Sequence, residues 1–437
     1  MSQHSPARRH VLGAVAVTAS LLLAGCSGQP APAQSEKVEG EITVLTQRTD
    51  LVDTVFQDYK KDFEKKYPDV TVNFEAITDY EGEIAVRMNT EDYGDVALIP
   101  NSVTKDQLAN YFEPLGSVDE LKEKYLFVEE QAFDGQGYGV AITGNAQGYV
   151  FNRKVWEEAG VTEAPKSPEE FLSALEAIND KTDAIPLYTN YKDGWPLSQW
   201  TGNRGFGEEG GNIANHTTEI DEPWTEGEEY YIIDSLLFDA VSQGLTEEDP
   251  ATTNWENSKT LIGSGKVATM VLGSWSIVQM QDAAEAAGGS RDDIGYYPFP
   301  FQVDGKFHSP VGGDYKNAVN VNSENKAAAR AWVEWFAAES GYASSQGGLS
   351  PVVGGELPAT LSDFETLGVE LVEIVPAPAG KEAVEAAIYN GAEIDLWGNI
   401  YRQKLVDIAR GAADGDKESY FAELNEKWKT ARATAAG

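Results

Sequence analysis

The stretch GYVFNRKVWEEAGVTEAPKSPEEF, residues 148–171, determines how the whole chain is interpreted. Residues 149–151 form a β-branched and aromatic run that is typical of a buried strand, and a short helical pattern then ends at Gly160. Ser167 is placed to cap the next helix, with Pro168 in its first turn and Glu170 three residues after the cap. A strand and two helices in close succession predict an α/β protein.

The same alternation of strands and helices extends in both directions from this stretch. Towards the N-terminus, residues 42–46, 70–74 and 96–99 are predicted strands, and the helix after the first strand ends before Pro68. Residues 189–229 show little periodicity and are predicted to be irregular, although their tryptophans argue against disorder. Further helices are predicted over residues 231–241, 254–262, 276–287, 326–338, 395–410 and 420–433. The alternation predicts mainly parallel sheets covered by helices.

The N-terminal residues indicate export and a lipid anchor. Arg8 and Arg9 precede an uncharged, mostly apolar stretch over residues 11–23, which is the length of a signal peptide and too short to span a bilayer. The sequence before Cys26 resembles the bacterial lipobox, which predicts a signal peptide over 1–25, lipid attachment at Cys26 and a flexible tether over 26–39. The two arginines leave twin-arginine and general export both open.

Length and charge restrict the remaining chain. The sequence has 437 residues and a formal net charge of −38, with 41% hydrophobic and 24% charged residues. About 400 residues exceed what a single hydrophobic core usually serves, so two lobes are expected. The negative charge repels nucleic acid and anionic lipid surfaces, which excludes both as expected partners. Cys26 is the only cysteine, so no disulfide is expected in the folded part.

The residues that enzymes commonly need are scarce. His216 and His308 each stand alone, so neither a zinc site nor a histidine-dependent nucleophile is predicted. Residues 263–266, Gly-Ser-Gly-Lys, lack the upstream glycine and the following Ser or Thr of a phosphate-binding loop, so no cofactor is expected. A pair of carboxylates acting in a secreted glycoside hydrolase stays open as an alternative, because acidic and aromatic residues are plentiful.

Two signatures resemble the family 1 extracellular solute-binding proteins of ABC importers. The first is the stretch 148–171, in which a strand ending in aromatic-Asn is followed by a short helix with Ala-Gly and by a Pro-Lys helix start. The second is Gly-Lys-Val-Ala-Thr-Met over 265–270, followed by Gly-Ser-Trp over 273–275. Trp156 and Ser167-Pro168 are mild departures from the family pattern.

This resemblance implies a two-lobed, periplasmic-binding-protein-like fold of type II with a ligand cleft between its lobes. It places residues 40–145 and about 312–348 in lobe one, and residues 146–311 and about 349–437 in lobe two. It also implies that a small ligand, expected to be a mono- or oligosaccharide, is trapped as the lobes close and is passed to a membrane permease with its ATPase. The chain itself would be a monomer held at the cell membrane by its lipid.

The first group of candidate ligand-binding residues follows strands of the predicted lobe one. Ligands of parallel α/β sheets lie beyond the carboxyl ends of the strands. Arg48 and Asp50 follow the first strand and offer paired hydrogen bonds to hydroxyl groups, although helix capping by Asp50 is an alternative. Tyr80 and Asn101 follow later strands. Asp314 lies where the chain is expected to cross between lobes, where it could instead form a turn.

The second group consists of tryptophans, because sugars present apolar C–H faces that stack on aromatic rings. Trp195, Trp200 and Trp224 lie in the irregular region, and Trp275 lies in the second family signature. Burial in the core is the alternative for each of the four. The leading hypothesis is therefore a sugar-binding protein of an importer. A glycoside hydrolase, a glycan-binding surface protein and the same fold binding a non-sugar solute stay open.

Overall fold

The computed structural model describes residues 37–78, 80–100, 102–378, 380–398 and 400–435. Cys26, the predicted signal peptide and tether up to residue 36, and Asn101 lie outside the described residues. The strands are β1 Gly40–Thr46, β2 Val70–Ala76, β3 Val96–Leu98, β4 Gly116–Ser117, β5 Ala132–Phe133, β6 Gln136–Gly137, β7 Val140–Ala141, β8 Gly144–Ala146, β9 Tyr149–Asn152, β10 Thr269–Val271, β11 Ile294–Tyr297, β12 Gln302–Val303, β13 Lys306–Gly313, β14 Lys316–Val319 and β15 Glu370–Glu373.

The α-helices alternate with these strands over most of the described chain. They are α1 Val55–Lys66, α2 Tyr80–Arg87, α3 Leu108–Tyr111, α4 Val118–Lys122, α5 Arg153–Ala159, α6 Pro168–Lys181, α7 Trp195–Gly202, α8 Ile213–Glu219, α9 Glu229–Ser242, α10 Trp255–Gly263, α11 Ile277–Ala286, α12 Lys326–Ala338, α13 Tyr342–Ser345, α14 Ser362–Leu367, α15 Val384–Gly391, α16 Ile400–Ala409 and α17 Lys417–Ala435. No described helix is both long and apolar enough to cross a bilayer.

The first sheet has the strand order β2-β1-β3-β14-β7. β1 runs parallel to β2 and β3, as the alternation predicts, whereas β14 runs antiparallel to both of its neighbours. Helices α1 and α12 pack on this sheet, and the rings of Phe63 and Trp332 meet at 5.1 Å between them. The result is one hydrophobic core built from residues 42–142 and 318–342.

The second sheet, β10-β9-β11, is antiparallel at both pairings, which differs from the expected parallel arrangement. Its parallel contacts are limited to the single bridges Ile185↔Val267 and Leu187↔Thr246. Tyr149 and Phe151 face one hydrophobic core, and Val150 between them faces another. An apolar run such as residues 149–151 indicates that both faces of the strand are buried. It does not indicate in which direction the neighbouring strands run, so the sequence could not predict the antiparallel pairing.

The region expected to be irregular contains two helices, α7 and α8. Leu197, Trp200 and Thr201 form the buried face of α7. With eight residues, α7 makes little more than two turns, so its apolar periodicity is too short to be recognised in the sequence. The interpretation of this region as structured rather than disordered is confirmed, and its interpretation as non-helical is wrong.

Three chain segments lie side by side where the chain passes between its two main cores. β8 pairs antiparallel with the end of β13, through Val311↔Ala146 and Gly313↔Gly144. Gly144 also forms a bridge with Leu349. The described chain is one continuous unit from Val38 onward, so the lobe boundaries stay a prediction.

Candidate ligand-binding site

Arg48 is the centre of a hydrogen-bonded network after β1. Its Nε and Nη2 donate to the two carboxylate oxygens of Asp50 at 2.8 and 2.7 Å. Its Nη1 donates to the hydroxyl of Tyr342 at 3.0 Å and to Oε1 of Gln346 at 2.6 Å. The guanidinium holds the pKa of the Asp50 carboxyl below its usual value. This Arg48 network therefore presents a fixed, partly exposed set of donors and acceptors.

Two other predicted residues of lobe one have different surroundings. Tyr80 is buried, and its hydroxyl donates to the carbonyl of Leu98 at 3.1 Å and accepts from the Leu98 amide at 2.7 Å. Both hydrogen-bonding functions of Tyr80 thus fasten α2 to β3, which removes Tyr80 from the candidate site. Asp314 is partly exposed, accepts from the amide of the next residue, Tyr315, at 2.8 Å, and lies between β13 and β14. Its charge also contributes to the raised pKa of Tyr342, which places it near the Arg48 network.

Three tryptophans form a partly exposed cluster, hereafter the tryptophan cluster, in which Trp255 and Trp275 are half-buried. The ring of Trp195 lies 4.9 Å from that of Trp255 and 5.8 Å from that of Trp275, and the last two are 5.7 Å apart. Trp195 is 37% exposed. Trp275 donates from Nε1 to Oε1 of Gln199, one helical turn after Trp195, at 3.3 Å. The structure therefore brings the predicted residues Trp195 and Trp275 together, and adds Trp255.

The chain is tightly constrained around this cluster. A Cβ on Gly273 would lie 2.7 Å from Cδ1 of Trp275. A Cβ on Gly202, at the end of α7, would lie 2.9 Å from Oε1 of Gln147. Side chains larger than glycine at these positions would displace the indole and the amide that border the exposed face of α7.

Trp200 and Trp224 lie in the core and are not part of the site. Each is only 2% exposed. The ring of Trp224 stacks on Tyr230 at 5.1 Å, and its Nε1 donates to Oδ2 of Asp234 at 2.7 Å. Asp234 in turn is paired with Arg402 through Nε at 2.8 Å, and both side chains are fully buried. The alternative that the sequence left open, packing in the core, is the correct one for both tryptophans.

Trp397 is an exposed aromatic residue that the sequence analysis missed. It is 52% exposed, and the guanidinium of Arg204 lies 4.9 Å from its ring centre. The preceding residue, Leu396, accepts a hydrogen bond from Thr201 on α7 at 2.7 Å, so Trp397 lies near the opposite end of α7 from Trp195. The sequence predicts one helix over residues 395–410, whereas α16 is Ile400–Ala409 and Trp397 precedes it.

A recognisable signal separates Trp397 from that helix. The carboxylate of Asp395 accepts from the amides of Ile400 and Tyr401 at 2.6 and 2.9 Å, so it caps α16. The sequence Asp395-Leu396-Trp397-Gly398-Asn399 places turn-forming residues just before the apolar helical pattern of α16, and this signal could have placed Trp397 in the preceding turn. In the same way, Asn254 caps α10 and places Trp255 in its first turn.

The Arg48 network and the tryptophan cluster approach one another where the chain crosses between its cores. Gln346, which binds Arg48, is followed by Gly347. A Cβ on Gly347 would lie 2.7 Å from Val278 on α11, and Val278 is three residues after Trp275. A polar edge and a set of exposed aromatic faces therefore border the same region. This combination suits a ligand that has hydroxyl groups around apolar faces.

Two cavities outside this region are not lined by the predicted site residues. One, of about 750 Å³, lies between α6, α8 and α9 and is lined by many carboxylates, including the buried Glu229. Another, of about 200 Å³, lies between Lys105 and the segment 374–385. Neither cavity combines the exposed aromatic faces and the polar network that a sugar needs.

Among the described residues, no cluster of three or more His, Cys, Asp or Glu side chains is placed to hold a metal ion. Burial raises the pKa of Glu229 and of Glu247 to about 7, but each carboxylate is engaged by neighbouring main-chain or hydroxyl groups rather than by the other.

Comparison with known proteins identifies the class. The model of the family of bacterial extracellular solute-binding proteins matches residues 49–343. Among curated proteins, a maltotriose-binding protein of Pyrococcus abyssi is 24% identical over 64% of this chain, and the match spans 59% of that protein's length. A diacetylchitobiose-binding protein of Streptomyces coelicolor is 24% identical over 75% of this chain and 77% of its own.

Two solved structures from Bifidobacterium animalis subsp. lactis resemble this one over nearly their whole length. An ABC-transporter binding protein in complex with mannobiose is 34% identical with a TM-score of 0.79, covering 91% of this chain and 95% of that one. A manno-oligosaccharide-specific solute-binding protein in complex with mannotriose is 33% identical with a TM-score of 0.78, covering 92% and 96%.

Proposed function

Because this chain belongs to the family of bacterial extracellular solute-binding proteins, we propose that it captures an oligosaccharide and delivers it to an ABC importer permease. The observation that carries the proposal is the pair of exposed tryptophans near the two ends of α7, Trp195 and Trp397, with the Arg48 network bordering the Trp195 end. The relatives that bind mannobiose and mannotriose support a manno-oligosaccharide as the first ligand to test.

The geometry of α7 favours an oligosaccharide over a single sugar. Trp195 begins this eight-residue helix, and Trp397 lies near its other end. Eight helical residues span about 12 Å, which is longer than one sugar ring. Stacking on separated tryptophans would thus engage different units of one ligand, while the exposed carboxylate of Asp50, which Arg48 holds in place, can accept a hydrogen bond from a hydroxyl group.

We further propose that the ligand lies between two lobes with the boundaries expected from the sequence. The pairing of β8 with β13 and the bridge between Gly144 and Leu349 support this, because three crossing segments then form a hinge at residues 145, 312 and 349. Closure of the lobes would present the permease with a distinct, ligand-bound shape.

The proposed anchor is a lipid on Cys26, with the chain acting as a monomer on the outer face of the cell membrane. The lipobox-like sequence before Cys26 supports the anchor. Metabolic labelling with a fatty acid should mark the protein, and Cys26→Ser should abolish that label. Release of the substituted protein into the medium would agree with the anchor, and unchanged labelling would contradict it.

The function is tested by thermal unfolding of a chain beginning at Ser27 in the presence of mannobiose, mannotriose, maltotriose and diacetylchitobiose, with amino acids and polyamines as controls. A ligand at a hundred times its dissociation constant adds about 2.7 kcal/mol to the free energy of unfolding. We expect the melting temperature to rise with one class of oligosaccharide. A rise with none of the sugars would contradict the proposal.

The sugar should be recovered intact after incubation. Chromatography of the mixture distinguishes binding from hydrolysis, since a glycoside hydrolase would shorten the oligosaccharide. Consumption of the sugar, abolished by substitution of a single carboxylate, would replace the proposed function with the hydrolase alternative.

A further inference from the structure

Glu229 is a buried carboxylate that holds the turn following α7. It is the first residue of α9 and is 5% exposed. Its Oε2 accepts from the amide of Gly205 at 2.6 Å, and its Oε1 accepts from the amide of Gly207 at 2.9 Å. Each carboxylate oxygen therefore has one main-chain N–H donor from the same short turn.

This turn is shaped for the carboxylate. A Cβ on Gly207 would lie 2.7 Å from Oε1 of Glu229, and Gly205 has a φ of +107°, which L side chains rarely adopt. Only glycine at both positions lets the main chain approach Glu229 so closely. The contact is therefore a specific feature of the sequence GFG at 205–207 rather than an incidental one.

The residue before the turn, Arg204, supports the exposed Trp397. The Arg204 side chain is buried, with its guanidinium 5.3 Å from the ring of Tyr230 and 4.9 Å from the ring of Trp397. Its Nη1 donates to Oε1 of Glu385 at 2.6 Å. The main chain that Glu229 holds at Gly205 therefore directly follows Arg204, whose guanidinium packs against the Trp397 ring.

We propose that Glu229 is a positioning residue for the Trp397 end of the ligand site, and that its ionised carboxylate is required for full affinity. This inference rests on the proposed function, because Trp397 must contact the ligand for its position to matter. Glu229 acts through the 205–207 turn and Arg204 and does not touch the ligand.

The chemistry of the contact makes it sensitive to protonation. An ionised carboxylate can accept from both N–H groups, whereas a protonated one has an O–H donor in place of one acceptor. Burial raises the pKa of Glu229 to about 7. The amides of Gly205 and Gly207 and the positive charge of Arg204 lower this pKa, whereas the negative charge of Glu228 raises it further.

Other ionisable groups share the cavity that Glu229 lines. They are Glu169, Glu208, Glu209, His216, Glu226, Glu228, Asp239 and Lys417. His216 contacts Glu228 at 3.1 Å and Glu209 at 3.6 Å, and Lys417 is paired with Asp239 at 2.9 Å. All of them are retained in Glu229→Gln and in Glu247→Gln, so the two variants differ from the wild type only in the carboxylate that each replaces.

Glu247 provides a matched control. It is also buried, and burial raises its pKa to about 7 as well. However, its partners are the amide of Thr189, at 2.9 Å, and the hydroxyl of Thr189. A hydroxyl can accept as well as donate, so a protonated carboxylate or an amide side chain can still satisfy both contacts. Glu247→Gln should therefore be tolerated, whereas Glu229→Gln places an NH2 group against an N–H donor.

The experiment measures mannotriose affinity of the wild type, Glu229→Gln and Glu247→Gln by calorimetry at pH 8 and pH 6. At pH 8 we expect Glu229→Gln to bind about tenfold more weakly than the wild type, the equivalent of one lost hydrogen bond, and Glu247→Gln to bind like the wild type. At pH 6 the wild type should weaken towards Glu229→Gln, whose own affinity should change little. If Glu229→Gln does not fold, the test still stands. The mannotriose affinities of the wild type and of Glu247→Gln at pH 8 and pH 6 then show whether binding weakens while Glu229 is present and Glu247 is absent.

Amide hydrogen exchange without sugar provides a second readout. At pH 8, the amides of residues 205–207 should exchange about tenfold faster in Glu229→Gln than in Glu247→Gln. Unchanged exchange in Glu229→Gln would overturn the inference, as would faster exchange with unchanged mannotriose affinity at pH 8. A wild type that binds mannotriose equally at pH 6 and pH 8 would also overturn it while leaving the proposed function standing. A wild type that binds none of the sugars would overturn both.

Discussion

At the scale of single residues, exposure separates tryptophans that the sequence treats alike. Trp195 and Trp200 lie five residues apart on the same short helix, yet Trp195 is exposed and Trp200 is buried in the core. The indole ring is large and apolar, and these same properties suit it both to burial in the core and to stacking on a ligand. Which of the two occurs depends on what packs against each helix face, and only the assembled protein supplies that information.

Trp397→Ala should weaken oligosaccharide binding by about tenfold or more, because it removes an exposed stacking face. The free energy of unfolding should change little, since the side chain is half exposed. Calorimetry with mannotriose and chemical denaturation measure the two effects. An unchanged affinity would place the ligand away from Trp397.

Trp224→Ala is the contrasting substitution. Because Trp224 is buried against Tyr230 and hydrogen-bonded to Asp234, we expect a loss of about 3–5 kcal/mol in the free energy of unfolding. Any folded fraction should retain the affinity of the wild type. A stable Trp224→Ala protein with lost affinity would return Trp224 to the binding site.

At the scale of helices and strands, capping residues allowed the most accurate predictions. Ser167 caps α6 by accepting from the amide of Glu170 at 3.3 Å, and α5 ends at Gly160 in the left-handed conformation. The helix predicted over 326–338 is α12 with the same bounds. Caps and helix-ending glycines act within a few residues, so the sequence contains all the information that they need.

Ser167→Ala should lower the free energy of unfolding by about 1 kcal/mol, because the amide of Glu170 loses its acceptor. Ser173→Ala, at an exposed position inside the same helix, is the control and should be neutral or slightly stabilising, since alanine favours helix. Denaturation of the two variants side by side gives the comparison. Equal effects would mean that the cap contributes nothing to stability.

At the scale of the whole molecule, the crossing segments determine how the chain is arranged. β8, the end of β13 and Leu349 are far apart in sequence and lie side by side. The Arg48 network is linked through Gln346 to Gly347, which lies against Val278, three residues after Trp275 of the tryptophan cluster. A ligand that contacts both groups would join the two halves of the molecule.

Small-angle X-ray scattering should therefore record a smaller radius of gyration when mannotriose is added, because a ligand held by both lobes favours the closed arrangement. The same titration with an amino acid serves as the control and should leave the radius unchanged. A radius that stays constant while calorimetry shows saturation would mean that binding does not draw the lobes together.

The sequence by itself determined the α/β class, the family resemblance, the caps and most helices, and it selected Arg48, Asp50, Trp195 and Trp275, which the structure places around one region. These features depend on local pattern and on motifs that are contiguous in the chain. Tertiary structure alone decided the antiparallel second sheet, the burial of Tyr80, Trp200 and Trp224, and the exposure of Trp397. Each of these features depends on contacts between residues far apart in sequence. Hydrophobic periodicity indicates that a side chain is apolar, but it does not indicate which part of the protein covers that side chain.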